Sequence, residues 1–164
     1  MLRVTKLTDY ATVVLTVLAS TPDAVASTTD LAERAGLEAP TVAKLLKPLA
    51  QAGLVQAFRG TRGGYRLAHD AQSITMYQIV EAMEGPLGMT ECSLHDGACG
   101  IERSCGARAN WRRINDVLAD ALRAVSLAQM LRDAGPPLAA PASGGVRPAS
   151  LSRARAIPAR LSVT

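Results

Sequence analysis

Three cysteines, Cys92, Cys99 and Cys105, fall within 14 residues at the spacing C-x6-C-x5-C. An odd number cannot pair off completely as disulfides, and thiolates gathered this closely suit soft or borderline metals. The surrounding segment is rich in glycine, which lets a backbone wrap around an ion without steric penalty. The gaps differ from the C-x2-C knuckle of structural zinc. Three thiolates leave a tetrahedral site or a cluster one ligand short, and His95, Asp96 and Glu102 are the local candidates to complete it. Spacing alone leaves two chemistries open. One is an iron–sulfur cluster, 2Fe–2S or 4Fe–4S; the other is zinc held by Cys92, His95, Cys99 and Cys105.

A second group of residues carries charge. Between Ala39 and His69 stand Lys44, Lys47, Arg59, Arg62 and Arg66, with no acid among them. Lys44 and Lys47 lie on the helix face opposite Leu45 and Leu49. The N-terminal half of such a helix fits a major groove, with Thr41 and Lys44 nearest the bases or phosphates. Arg59 and Arg62 flank Gly60 at a hairpin tip, where an arginine can reach the minor groove. Charge alone would mark only a solvated face; coupled to the order of elements below, it points to double-stranded DNA. The net charge of +4 says less, because Arg147, Arg153, Arg155 and Arg160 lie in an acid-free stretch from residue 135 onward. Setting them aside leaves 14 basic and 14 acidic residues.

Catalysis is not expected. The two histidines, His69 and His95, form no nucleophile–base pair with a neighbour, and no small-molecule substrate is implied. No apolar run approaches the roughly 18 residues of a membrane span. Arg3 and Lys6 followed by an apolar stretch mimic a signal peptide. However, Leu7, Ala11, Val14 and Leu18 keep helical spacing and Asp9 interrupts the basic start, which predicts a packed first helix of a cytoplasmic protein.

The elements that must position these groups follow from periodicity and punctuation. Residues 1–20 read as a helix capped by Thr8, with Asp9 in its first turn. Thr28–Gly36 reads as a short helix with Thr28 or Thr29 as cap. A third helix begins at Pro40 and presents Val42, Leu45, Leu46 and Leu49, and Pro48 predicts a kink or an end near Lys47. Leu54–Ala68 alternates around glycines as a two-stranded hairpin. Met76–Glu84 is a further helix. Residues 85–106 read as a loop. A long helix runs from about Ala107 through Trp111, Ile114, Leu118, Ala121, Leu122 and Val125. Ser126 and Gln129 then form a capping box for a last helix ended by Gly135. With one Phe and one Trp in the chain, the core must be aliphatic. The fold expected is mainly α with a small β-hairpin: a winged helix-turn-helix plus a long C-terminal helix. It divides into a DNA-binding unit (1–84), a cysteine loop (85–106), the long and terminal helices (107–134), and a disordered basic tail (135–164).

The sequence resembles the IscR/NsrR-type family of winged-helix transcription regulators over roughly residues 1–134. LTDYA, LAERAGL…TVAKLLKPLAQAGLV, the wing RGTRGGYRLA, IVEAMEG, the three cysteines and NWRRINDVL…SLAQM carry the likeness. Within it, LTDYA and NW…IN…SL..M are most similar to regulators of SUF iron–sulfur cluster assembly. The resemblance implies a homodimer paired through the long helix, reading a pseudo-palindromic operator. It implies too that Cys92, Cys99 and Cys105 hold an iron–sulfur cluster whose presence alters DNA affinity, with a nitric oxide or redox signal as the alternative within the same fold. The IscR branch completes its cluster with a histidine three residues after the last cysteine. Here that residue is Arg108, which stays protonated and does not ligate. The NsrR branch draws its fourth ligand from the partner's first helix, at the position of Asp9; His95 is the second choice.

Overall fold

The apolar spacing of the first twenty residues resolves into helix α1, Lys6–Ala19. Ala11, Val14, Leu15 and Leu18 on its inner face are at most 1% exposed. The cap is Thr5 rather than Thr8: Thr5 is extended at φ −69°, ψ 156°, and its Oγ1 accepts the Thr8 amide at 3.4 Å. Two threonines one turn apart offer two hydroxyls, and only the one outside the helix has the backbone conformation a cap needs. Thr8 is buried instead. The computed structural model describes residues 4–61, 63–94, 100 and 105–133. Arg62, His95, Cys99, Gly135 and the basic tail therefore lie outside the described residues.

Helix α2 (Thr28–Ala35) is likewise capped one residue earlier than expected. Ser27 accepts the Asp30 amide while the Asp30 carboxylate accepts the Ser27 N–H, and Gly36 closes the helix at φ 65°. Helix α3 (Ala39–Gln51) opens with Pro40 in its first turn and continues through Pro48 without ending. A mid-helix proline costs about 3 kcal/mol. Burying a leucine contributes about 1.5–3 kcal/mol, and Leu49, directly after the proline, is fully buried. Backbone bonds from Ala52 N to Pro48 O and from Leu54 N to Leu49 O, both 2.9 Å, complete the last turn.

Strands β1 (Val55–Phe58) and β2 (Gly64–Leu67) pair antiparallel, Val55 opposite Leu67 and Phe58 opposite Gly64. Helix α4 (Met76–Glu84) follows, capped by a Thr75–Gln78 box. Within the expected loop a helical turn forms, α5 (Glu91–Leu94). Then come α6 (Arg108–Ala124) and α7 (Leu127–Asp133), with Gln129 Oε1 accepting the Ser126 amide at 2.7 Å as the capping box predicts.

Helix α1 packs against α2, α3, α4 and α7, with β2 alongside. Among the described residues the buried hydrophobics are all Ala, Val, Leu or Ile, as the scarcity of aromatics requires. Residues 71–76 and 125–128 cross-pair through Met76 N to Val125 O, Leu127 N to Ile74 O and Ala128 N to Ala71 O. Leu127 is fully buried, so α7 returns to the core.

Candidate nucleic-acid interface and cysteine loop

Helices α2 and α3 are joined by a three-residue turn through Gly36, and the hairpin follows directly. Val42, Leu45, Leu46 and Leu49 fix one side of α3 in the core, which turns Lys44 and Lys47 to solvent and leaves Thr41 half-buried. No side chain caps the N-terminus of α3, so its positive end is available to an anion. Arg59 is exposed at the hairpin turn, next to Gly60 at φ 115°.

The hairpin is fastened to the helical body. Ala26 and Tyr65 exchange backbone bonds of 2.9 and 2.8 Å, making residue 26 a third, minimal strand. That approach requires Gly64: a Cβ there would lie 2.3 Å from the Ala26 carbonyl oxygen. Arg66 is not at the tip. Its guanidinium sits 5.1 Å from the Phe58 ring centroid and donates to Gln56 Oε1 at 3.5 Å, so it stiffens the sheet face.

Asp9 is exposed in the first turn of α1. Cys105 is a half-buried free thiol just before α6, and Cys92 lies on α5, which packs against α6. Among the described residues no three His, Cys, Asp or Glu side chains gather as a metal site. Within one chain, Asp9 is therefore not assembled with Cys105 and a third described ligand.

Other contacts have no signal in residue spacing. The Thr8 hydroxyl and the Thr5 amide, the latter at 3.0 Å, both donate to Glu84 Oε1 and tie the start of α1 to the end of α4. These bonds, Thr8's first, hold the Glu84 carboxyl below the ordinary carboxylate range. Across α4 and α6, the Arg123 guanidinium lies 4.2 Å from the Tyr77 ring centroid. The long helix itself divides in two. Leu118 and Leu122 are half-buried and Ala119 is buried, whereas Trp111, Ile114 and Val117 are 38, 42 and 62% exposed.

A helix pair with a docked hairpin, a basic outer face and a long helix beyond is the architecture of a winged-helix DNA-binding regulator. The chain belongs to the Rrf2 family, described as iron-dependent transcriptional regulators, whose model matches residues 4–133. Protein aau3 of Rhizobium meliloti is 30% identical over 132 residues, 80% of this chain and 86% of that protein. The HTH-type transcriptional regulator IscR of Vibrio campbellii is 32% identical over 104 residues, 63% of this chain but only 61% of that protein's length. Among solved structures, CymR, the global cysteine regulator of B. subtilis, superposes with TM-score 0.63 at 26% identity, covering 81% of this chain and 98% of that one. IscR of T. potens gives 0.61 at 28% identity, covering 81% and 88%. The chain is thus a transcription regulator and not an enzyme, and no described helix is long and apolar enough to cross a membrane.

Proposed function

We propose that the protein is a cytoplasmic, homodimeric regulator that senses iron–sulfur cluster status and controls SUF-type iron–sulfur assembly genes. One observation carries this reading: the cysteine segment lies between the DNA-reading unit and a long helix with an exposed apolar stripe. The donor chemistry fits a cluster. In support, Cys92 lies on α5, which packs against α6, and Cys105 lies three residues before α6, with Cys99 between them in sequence. Cys92, Cys99 and Cys105 would hold the group, with Asp9 from the second protomer as fourth ligand; its exposure leaves it accessible to a partner. His95 is the alternative. When bound, the cluster supplies a centre sensitive to iron supply and oxidants, and an oxygen ligand makes it more labile than four thiolates would.

The chain's own residues do the rest. Thr41, Lys44 and Lys47 engage the major groove and its phosphates, and Arg59 and Arg62 engage the minor groove beside it. Trp111, Ile114 and Val117 bury their exposed surface against the second copy, setting two recognition helices on one face of a pseudo-palindromic operator. Cys92, Cys99 and Cys105 would hold the group in the segment between α4 and α6, where loading would reorient that segment and shift the balance between two dimer geometries.

The test is anaerobic purification with iron, sulfide and zinc analysis, then DNA affinity of metal-free and loaded protein at one fixed salt concentration. The duplex is one the protein itself selects from random sequence. Different affinities support the reading, and equal affinities refute the switch. A nitric oxide or redox signal is the second reading, favoured by Arg108 in place of a ligating histidine. Colourless protein with one zinc per chain would reduce the loop to a structural element.

A further inference from the structure

Strand pairing sorts the side chains of the hairpin onto two faces. Val55 and Leu67 are buried against the helical body, and successive side chains alternate, so Gln56, Phe58 and Arg66 share the opposite, outer face. Gln56 stands directly across from Arg66, and Phe58 stands across from Gly64, which has no side chain. The ring of Phe58, the one phenylalanine of the chain, therefore has Arg66 as its diagonal neighbour, and the guanidinium lies 5.1 Å from its centroid. Gln56 Oε1 accepts an N–H of Arg66 Nη2 at 3.5 Å. Both partners are neutral. Among the described residues no carboxylate pairs with Arg66, and the sequence from Ala39 to His69 holds no acid. The guanidinium is thus held in one place by a ring and an amide, neither of which neutralises its charge.

We propose that Arg66 is a DNA phosphate-binding residue, braced on the outer face of the wing by Phe58 and Gln56. This rests on the reading above that the hairpin tip enters a minor groove. Arg66 is two residues from Gly64, and so about 7 Å behind the last pair of the ladder at about 3.4 Å per residue. The minor groove is about 7.5 Å deep. With the tip and Arg59 inside it, a side chain that far back stands at the level of the phosphates along its rim. A planar fork stacked on a ring suits a phosphate, because it loses little freedom on binding and can donate two parallel bonds. Arg59 enters the groove, and Arg66 fixes the depth and register of the wing without choosing sequence.

The experiment uses the full chain as wild type, Arg66→Leu, Arg66→Lys and Phe58→Leu, with a duplex that wild type selects from random sequence. Affinity is read by fluorescence anisotropy across a salt series. Arg66→Leu should bind about tenfold more weakly and lower the salt slope by about one, the share of a single phosphate. Arg66→Lys should keep the slope and recover part of the affinity, since an ammonium carries the charge without the fork. Phe58→Leu should keep the slope and lose about two- to fivefold, the range of an exposed cation–π contact. Phosphates along the groove are then neutralised one at a time as methylphosphonates. At one of them wild type should lose about as much affinity as Arg66→Leu has lost, and Arg66→Leu should lose nothing further. A residue that only stiffens the sheet would show no coupling to a particular phosphate. Urea unfolding checks each variant, and Arg66→Gln replaces leucine should that unfold the wing. An unchanged salt slope in Arg66→Leu, or equal losses in wild type and Arg66→Leu at every phosphate, overturns this contact alone. Wild type that selects no duplex overturns the DNA reading, and the contact falls with it.

Discussion

Replacing Gly64 with alanine tests whether the wing is held by close backbone approach rather than by its own turn. A Cβ at residue 64 would stand 2.3 Å from the Ala26 oxygen, against the 3.4–4 Å of ordinary contact. The two backbones must therefore separate by about 1 Å, because the obstacle is a carbonyl and not the end of a flexible side chain. Separation lengthens the 2.9 and 2.8 Å bonds between Ala26 and Tyr65 beyond useful range. Two backbone bonds at about 0.5–1.5 kcal/mol each set an expected loss of about 1–3 kcal/mol. The assay is urea unfolding at one fixed protein concentration, which keeps any dimer contribution constant. Gly106→Ala, with nothing within 4 Å of its added Cβ, is the control and should stay within about 0.5 kcal/mol of wild type. Gly64→Ala should also bind DNA about tenfold more weakly, since an undocked wing no longer presents Arg59 at a fixed place. A Gly64→Ala protein as stable as the control would refute the argument from close approach.

Two further outcomes follow from the charged groups. Lys44→Ala and Lys47→Ala should each weaken binding to all duplexes alike and lower the salt slope by about one, read by fluorescence anisotropy across a salt series; a change confined to one sequence would mean base readout instead. For Glu84, a carboxyl held below its ordinary value of 4.5 adds stability that is complete above that value and is lost as pH falls through the lowered one. Wild type should therefore exceed Glu84→Gln in stability at pH 7 and converge on it as the pH falls through the lowered value, with a pH-independent difference excluding the charged form as the source.

What the sequence revealed depended on the range of the interaction involved. Val42, Leu45, Leu46 and Leu49 could be assigned to one helix face because apolar spacing is local, and burial bears all four out. The hairpin was legible through Gly60, Gly63 and Gly64. Caps were missed by one to three residues, at Thr5 and Ser27, since neighbouring hydroxyls compete and only backbone conformation selects one. Of the kink or end expected near Lys47, the end does not occur: burial of Leu49 and Leu54, with the backbone bonds that complete the last turn, offsets the local proline penalty. Contacts such as Glu84 with Thr8, Arg123 with Tyr77 or Asn115 with Met89 join residues far apart in the chain, and no periodicity encodes them. Of the proposed site, Lys44, Lys47 and Arg59 stand exposed, Cys92 lies on α5, and Cys105 lies just before α6. Among the described residues Asp9 belongs to no group of three potential metal ligands.

The two ends of α6 are held differently, and that asymmetry gives the proposed switch its mechanics. At the C-terminal end, backbone bonds from Met76 to Val125 and from Leu127 to Ile74, together with Arg123 over Tyr77, pin the helix to the start of α4 and hence to the DNA-reading body. Toward the N-terminal half the cysteine segment is its neighbour, in sequence through Cys105 just before the helix and in space through Asn115 midway along it. Seventeen residues at about 1.5 Å rise make a lever of about 25 Å. A tilt of about 5° about the pinned end moves the other by about 2 Å, the scale of helix shifts that repack subunit interfaces. The exposed stripe of Trp111, Ile114 and Val117 lies toward the moving end, so the displacement falls where the second copy would pack. In the proposed switch, a change at the cysteines would become a change of dimer geometry, and dimer geometry is what sets the separation of two recognition helices on DNA.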